Sequence, residues 1–183
     1  MPIKKTDRES IIVESIQLFK IKGYSSTTMS NIGSSCGLIK GSIYHHFKSK
    51  EEIGLESLKY IHNYFLESIF SIRDNESLND KEKLTILMQR LDEYFLKSKG
   101  GCLFGNLALE IAQSIEVFKV EIIRYFKEWE DVLTSILESK YNKKAKELAK
   151  ESIASIQGAV MLMNLNSDRE IYLNISRKVA NLL

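Results

Sequence analysis

Apolar residues recur at three- and four-residue spacings along nearly the whole chain, the period of amphipathic helices and not of strands. Ile12, Ile16 and Phe19 share one face of a first predicted helix. That helix opens at Thr6-Asp7-Arg8-Glu9, which has the form of a capping box, and stops at Gly23. Met29 and Ile32 mark a short second helix behind Thr27-Thr28, and Gly37 breaks the chain. Ile39, Ile43 and Phe47 then predict a third short helix with its apolar side turned inward. Ser49-Lys50-Glu51-Glu52 is a second capping box, whose acidic turn suits a helix N-terminus, and it starts a long helix towards Ile72. Arg73-Asp74-Asn75-Glu76-Ser77 reads as a polar loop. The helical stripe resumes from Asp80 with Leu84, Leu87, Met88, Leu91, Tyr94 and Phe95, until Gly100-Gly101 interrupts it. A short helix over 107–112 and a long one over 115–141 follow, the latter carrying Phe118, Ile122, Tyr125, Phe126, Trp129, Leu133 and Leu137. Two last helices, 143–165 and 167–182, divide near Asn166. The expected fold is all-α, about nine helices, without internal repeats.

Composition agrees with this reading. A chain of 183 residues with 44% hydrophobic content can bury a sizeable core in one or two domains, and its single proline is Pro2. No segment approaches the roughly 18 apolar residues of a membrane span. No apolar run follows the basic start MPIKKTDRES, so neither a signal peptide nor a membrane partner is expected and the location should be cytoplasmic. Cys36 and Cys102 lie far apart, without metal-ligand spacing, and should stay reduced. Net charge is only +2, but it is unevenly placed. Residues 1–50 hold eight Lys and Arg against three Asp and Glu, which leaves 18 against 21 of the chain's 26 and 24 for residues 51–183. A basic head on a mildly acidic body fits a nucleic-acid-binding module, 1–50, joined to a regulatory region, 51–183. Short N-terminal segments are also basic by chance.

The chemistry of residues 27–50 sharpens this. Two short helices joined by a glycine-containing turn form a helix-turn-helix pattern. Lys40, Ser42, Tyr44 and His45 decorate the second of them, a face suited to phosphates and base edges in a major groove. The string Gly41-Ser42-Ile43-Tyr44-His45-His46-Phe47-Lys48-Ser49-Lys50-Glu51 resembles the recognition-helix signature of the TetR family of bacterial transcriptional repressors. Phe19, Gly23, Tyr24, Thr27, Thr28 and Ile32 extend the resemblance upstream. It implies phosphate contacts by Thr27, Thr28, Tyr44, His45 and Lys50, the last aided by its charge at a helix start. It also places Lys40, Gly41 and Ser42 near base edges. Thr28 acting only as a cap, and Tyr44 packing on the first helix, are the structural alternatives. Gly33 and Cys36 stand where the family usually has alanines, and Asn31 where an acid is common, which predicts weaker capping there.

The remainder resembles the family's regulatory domains more weakly. Ser155-Ile156-Gln157-Gly158-Ala159-Val160 is similar to the small-residue centre of the family's penultimate helix. Leu148, Ser152, Ile156, Ala159, Val160 and Met163 follow helical spacing, with Gly158 allowing close approach, and would form a homodimer surface or else internal core. Tyr94, Phe104, Tyr125, Trp129, Met161 and Met163 supply aromatic and adaptable side chains where the resemblance places an effector pocket, although such stripes more often are plain core. Gly101-Cys102-Leu103-Phe104-Gly105-Asn106-Leu107 resembles a string in a subset that includes electrophile-sensitive repressors. Gly100-Gly101 would expose Cys102, and Lys97 and Lys99 would favour its thiolate; free cysteines are otherwise usually buried.

Catalysis finds no support. His45 and His46 are adjacent and point about 100° apart on a helix, so with His62 they make no metal site. No nucleophile–base set or phosphate loop is recognisable, so no enzyme, cofactor or metal is expected. The expectation is a homodimeric, DNA-binding transcriptional regulator, a repressor released from a palindromic operator by a small-molecule effector. The alternative is a thiol-based electrophile or redox sensor acting through Cys102.

Overall fold

The computed structural model describes residues 7–183, and its first helix, α1 (Arg8–Lys22), is capped by Asp7. The Asp7 carboxylate accepts the Ser10 N–H at 2.8 Å. Thr6, the expected cap, lies outside the described residues. The chain continues through α2 (Met29–Ser35), α3 (Lys40–Tyr44), α4 (Lys50–Tyr64), α5 (Asp80–Lys97), α6 (Leu103–Glu110), α7 (Glu116–Tyr141), α8 (Ala145–Asn166) and α9 (Arg169–Ala180). Among the described residues the fold is all-helical, as the periodicity predicts.

Two elements depart from the prediction. The helix expected to run to Ile72 is α-helical only to Tyr64, then widens into a π turn over Phe65–Ile69 and tightens into a 3-10 turn over Phe70–Asp74. On a regular α-helix Phe65 and Phe70 would point about 140° apart. The change of pitch brings their rings to 5.4 Å. The short helix expected over 107–112 starts earlier, at Leu103, immediately after the Gly100-Gly101 turn, and buries Leu103, Phe104 and Leu107.

The chain forms two compact units. The first comprises the described residues up to Ile61 together with Leu103–Ile122. Its core gathers Ile11, Phe19, Ile32, Ile43, Phe47, Ile53 and Leu58 with Leu107 and Phe118. The second comprises His62–Cys102 and Ile123–Leu183. Its core is aromatic. Phe65 meets Tyr94 at 4.7 Å and Tyr125 at 5.1 Å, and Phe95 stacks with Trp129 at 6.3 Å, an arrangement that adds ring-pair energy to the burial of large side chains. Ser176 of α9 donates to Asp92 of α5 at 2.6 Å. Among the described residues no helix is long and apolar enough to cross a membrane.

Candidate nucleic-acid interface

The helix-turn-helix is built by caps and by two buried anchors. Thr28 closes the start of α2: its hydroxyl accepts the Asn31 N–H at 3.1 Å, and the Asn31 side chain accepts the Thr28 N–H at 3.0 Å. The amide of Asn31 thus completes a full capping box, and the weaker capping expected there does not occur. Gly37, at φ +70°, turns the chain from α2 towards α3. Ile43 of α3 and Phe47 just after it are buried, and α3 packs on α2. Ile39 is not part of that anchor. It precedes α3, outside the helical spacing, and its side chain is 77% exposed.

The outer face of α3 is open. Lys40, Gly41, Tyr44 and His45 are exposed and Ser42 is half-buried. The Lys40 ammonium lies 5.9 Å from the Tyr44 ring, at the edge of cation–π range. Arg8 braces this element from α1, with its guanidinium 3.9 Å from the Phe47 ring centroid. It also donates to the His46 carbonyl and pairs with Glu52 at 3.2 Å. Glu52 in turn accepts the Lys48 N–H at 2.7 Å, which fixes the turn between α3 and α4. A brace formed by residues so distant in sequence has no local signal.

Two residues expected on phosphates have hydrogen-bond partners inside the unit. Thr27 is fully buried, and its hydroxyl donates to the Gly23 carbonyl at 2.7 Å. The Lys50 ammonium donates to the carbonyls of Tyr24 at 2.8 Å and Thr27 at 2.9 Å, and sits 4.2 Å from the Tyr24 ring. Opposite it, the Glu110 carboxylate at the end of α6 accepts the N–H groups of Tyr24 at 2.9 Å and Ser25 at 2.7 Å. Lysine and glutamate therefore grip the α1–α2 turn by its acceptors and its donors respectively. Desolvation pulls the Lys50 ammonium down, Glu110 opposing it. Burial pushes the Glu110 carboxyl up, but the Ser25 and Tyr24 amides, with Lys50, hold it below the ordinary value. Burial and the nearby Glu51 and Glu110 push the Tyr24 phenol up to about 12.

A cleft of about 440 Å³ on the same unit is lined by Asp7, Glu9, Glu14 and Cys36. Its acidic rim repels phosphate, whereas the α3 face carries Lys40. Burial, and then Glu14, raise the Cys36 thiol, against a hydrogen bond with Ser35, so this cysteine is a poor nucleophile.

Residues 11–56 match the model of the bacterial regulatory proteins of the tetR family. Residues 82–178, more than half of the chain, match the LmrA/YxaF-like transcriptional regulator C-terminal domain. The chain belongs to the TetR family. This TetR-family protein is 28% identical to the transcriptional repressor DhaR of Mycobacterium sp. strain GP1 over 89% of its own length and 85% of that protein's. It is also 28% identical to the regulator YxaF of Bacillus subtilis, over 98% and 96%. A TetR regulator structure from Legionella pneumophila superposes with a TM-score of 0.85 at 23% identity, covering 98% of this chain and 97% of the other. The TetR-family chain is thus a DNA-binding transcriptional regulator, and its relatives are regulators, not enzymes.

The residues that the sequence of this TetR-family chain suggests for effector binding and dimerisation separate in the structure. Tyr94, Tyr125, Trp129 and Met163 belong to the second unit, where Tyr94 is half-buried and the others are buried. Phe104 is buried in the first unit, and Met161 is 57% exposed on α8, away from the core side of that helix. Cys102 is 5% exposed, so the glycine turn does not expose it as expected. On α8 the residues expected at a dimer surface mostly face their own core: Ser152, Ile156, Ala159, Val160 and Met163 are buried. Leu148 and Gly158 are half-buried, and a Cβ on Gly158 would meet nothing within 4 Å. The free side of α8 carries Ala154, Ser155, Met161, Leu162 and Leu165. Both stripes obey the same helical period, so spacing alone could not tell which one faces inward.

Proposed function

We propose that the chain is a homodimeric repressor that holds a palindromic operator through α3 and releases it when a small apolar or planar effector binds in the second unit. The observation that carries the reading is the α3 face: Lys40, Gly41, Tyr44 and His45 exposed above a buried Ile43 and Phe47. In this reading Lys40 and Ser42 meet base edges where Gly41 allows close approach. Tyr44, His45 and Thr28 meet phosphates. Thr27 and Lys50 position the turn, and Lys48, exposed beside α3, supplies a phosphate cation in place of Lys50. One helix-turn-helix reads few base pairs, so specificity calls for two copies on symmetric half-sites. Exposed Ala154, Leu162 and Leu165, with half-buried Gly158 between them on α8, support the second copy, since so apolar a strip on one helix calls for cover. Such a protein acts in the cytoplasm.

The aromatic cluster supports the effector site. The Trp129 indole is fully buried, and its N–H has no acceptor among the described residues, so an acceptor on a ligand would complete it. An effector that favours an arrangement with misplaced recognition helices shifts the population off DNA. The buried Cys102 supports packing over covalent sensing in this chain. Selection of bound sequences from a random DNA pool, then a compound screen for release, tests the proposal. Trp129 is the only tryptophan, so a releasing compound should also change its fluorescence. Failure to enrich any sequence, or release without a fluorescence change, contradicts the respective half.

A further inference from the structure

Ile39 is an exposed aliphatic side chain on a backbone that is held in place. The Leu38 N–H donates to the Gly33 carbonyl at 2.8 Å, and the Ser42 N–H to the Ile39 carbonyl at 3.0 Å. A Cβ at Gly33 would lie 2.8 Å from the Leu38 carbonyl oxygen and 3.3 Å from the Ile39 carbonyl carbon. The backbone of α2 therefore presses directly on the turn, and the inner side of that turn has no room for the Ile39 side chain. It stands 77% exposed beside Lys40, and beyond it the space over Gly41 is open. Between residues 37 and 48 the exposed large apolar side chains are Ile39 and Tyr44, and Tyr44 has a hydroxyl to offer a polar partner where Ile39 has nothing. A β-branched chain is stiff at χ1, so contact costs it little entropy.

An aliphatic group can make no hydrogen bond, and the major groove presents one apolar handle to it, the 5-methyl group of thymine. We infer that Ile39 reads a thymine methyl in each operator half-site, a specificity contact that rests on α3 being the DNA-reading element. It complements the polar contacts of Lys40 and Ser42 by selecting thymine against cytosine at one position.

Deoxyuridine differs from thymidine in lacking only that methyl group, so it isolates the contact. The operator selected from a random pool is resynthesised with one symmetric pair of thymines at a time replaced by deoxyuridine. The full-length protein should lose about fourfold per methyl, about 15-fold for one particular pair, and nothing comparable at the others. Ile39→Ala should bind the parent operator more weakly and be indifferent to deoxyuridine at that same pair. Ile39→Val should keep part of the discrimination. If the wild-type protein binds its operator but no replacement weakens it, or if Ile39→Ala keeps the full penalty, the inference is wrong while the DNA-binding reading stands. If no sequence is enriched at all, both fall.

Discussion

The two compact units are stabilised in different ways. The first places its functional face by a few polar grips on the backbone: Lys50 and Glu110 on the α1–α2 turn, Arg8 and Glu52 on the turn after α3, and Thr28 with Asn31 at the start of α2. The second relies on ring packing, with Trp129, Tyr125, Phe95 and Tyr172 fully or almost fully buried. Hydrogen bonds are directional and fix a backbone to tenths of an ångström, which suits a surface that must match DNA. Aromatic packing is strong and less directional than a hydrogen bond, which suits the core in which an effector site is proposed. Losing a grip should therefore change binding more than stability, and losing a ring should do the reverse.

The largest effect should come from the aromatic side. Trp129→Ala removes a fully buried ring and should cost about 3–5 kcal/mol of stability, read as a fall of roughly 10 °C in the thermal midpoint. A midpoint within a degree or two of wild type would show that the cluster carries no such energy.

Next in size is the α8 surface. Gly158→Asp finds open space within the subunit, so its own fold should tolerate the change. Burying that carboxylate against a second copy, in contrast, should weaken dimerisation by about 100-fold. Sedimentation should show monomer with an unchanged helical signal. A variant that remains dimeric places the interface elsewhere.

The grip on the turn should show a smaller effect on affinity and a small, pH-dependent one on stability. Glu110→Ala removes two charge-assisted hydrogen bonds, one part-buried and one exposed, and operator affinity should fall by about tenfold with the base preference unchanged. Its pH dependence has a definite sign. The folded carboxyl titrates below its ordinary 4.5, so its contribution is complete above that value and is lost as pH falls through the lower folded value. Glu110→Gln should remove that step from the acid limb of the unfolding curve. An acid limb identical in the two proteins would assign the step to another group.

Much of this was legible in the sequence, and the exceptions share a cause. Helix positions follow from periodicity because one stripe of apolar residues is a property of the local chain. Ile39 misleads because it keeps the four-residue spacing from Ile43 but precedes α3, so the helical wheel does not apply to it. Thr27 and Lys50 sit where the family commonly contacts phosphate, yet the carbonyls that surround Lys50 are assembled only when α1 and α4 meet. Glu110 carries no local signal, since its partners lie more than 80 residues away in sequence. On α8, alternation between two helical stripes is legible while the choice of the inner one depends on α9.

Lys40 is proposed to read DNA while Lys50 holds the turn, and the salt dependence of operator binding separates the two roles. Affinity is measured against salt concentration for the wild type, Lys40→Ala and Lys50→Ala, with operator selection repeated for each. Lys40→Ala should recover a sequence altered at a symmetric pair of positions. Lys50→Ala should recover the wild-type sequence, bind it more weakly, and keep the wild-type slope, because an internally bonded ammonium releases no counterion from DNA. A Lys50→Ala slope flattened by about two, one for each half-site, together with an unchanged Lys40→Ala sequence, would contradict the account.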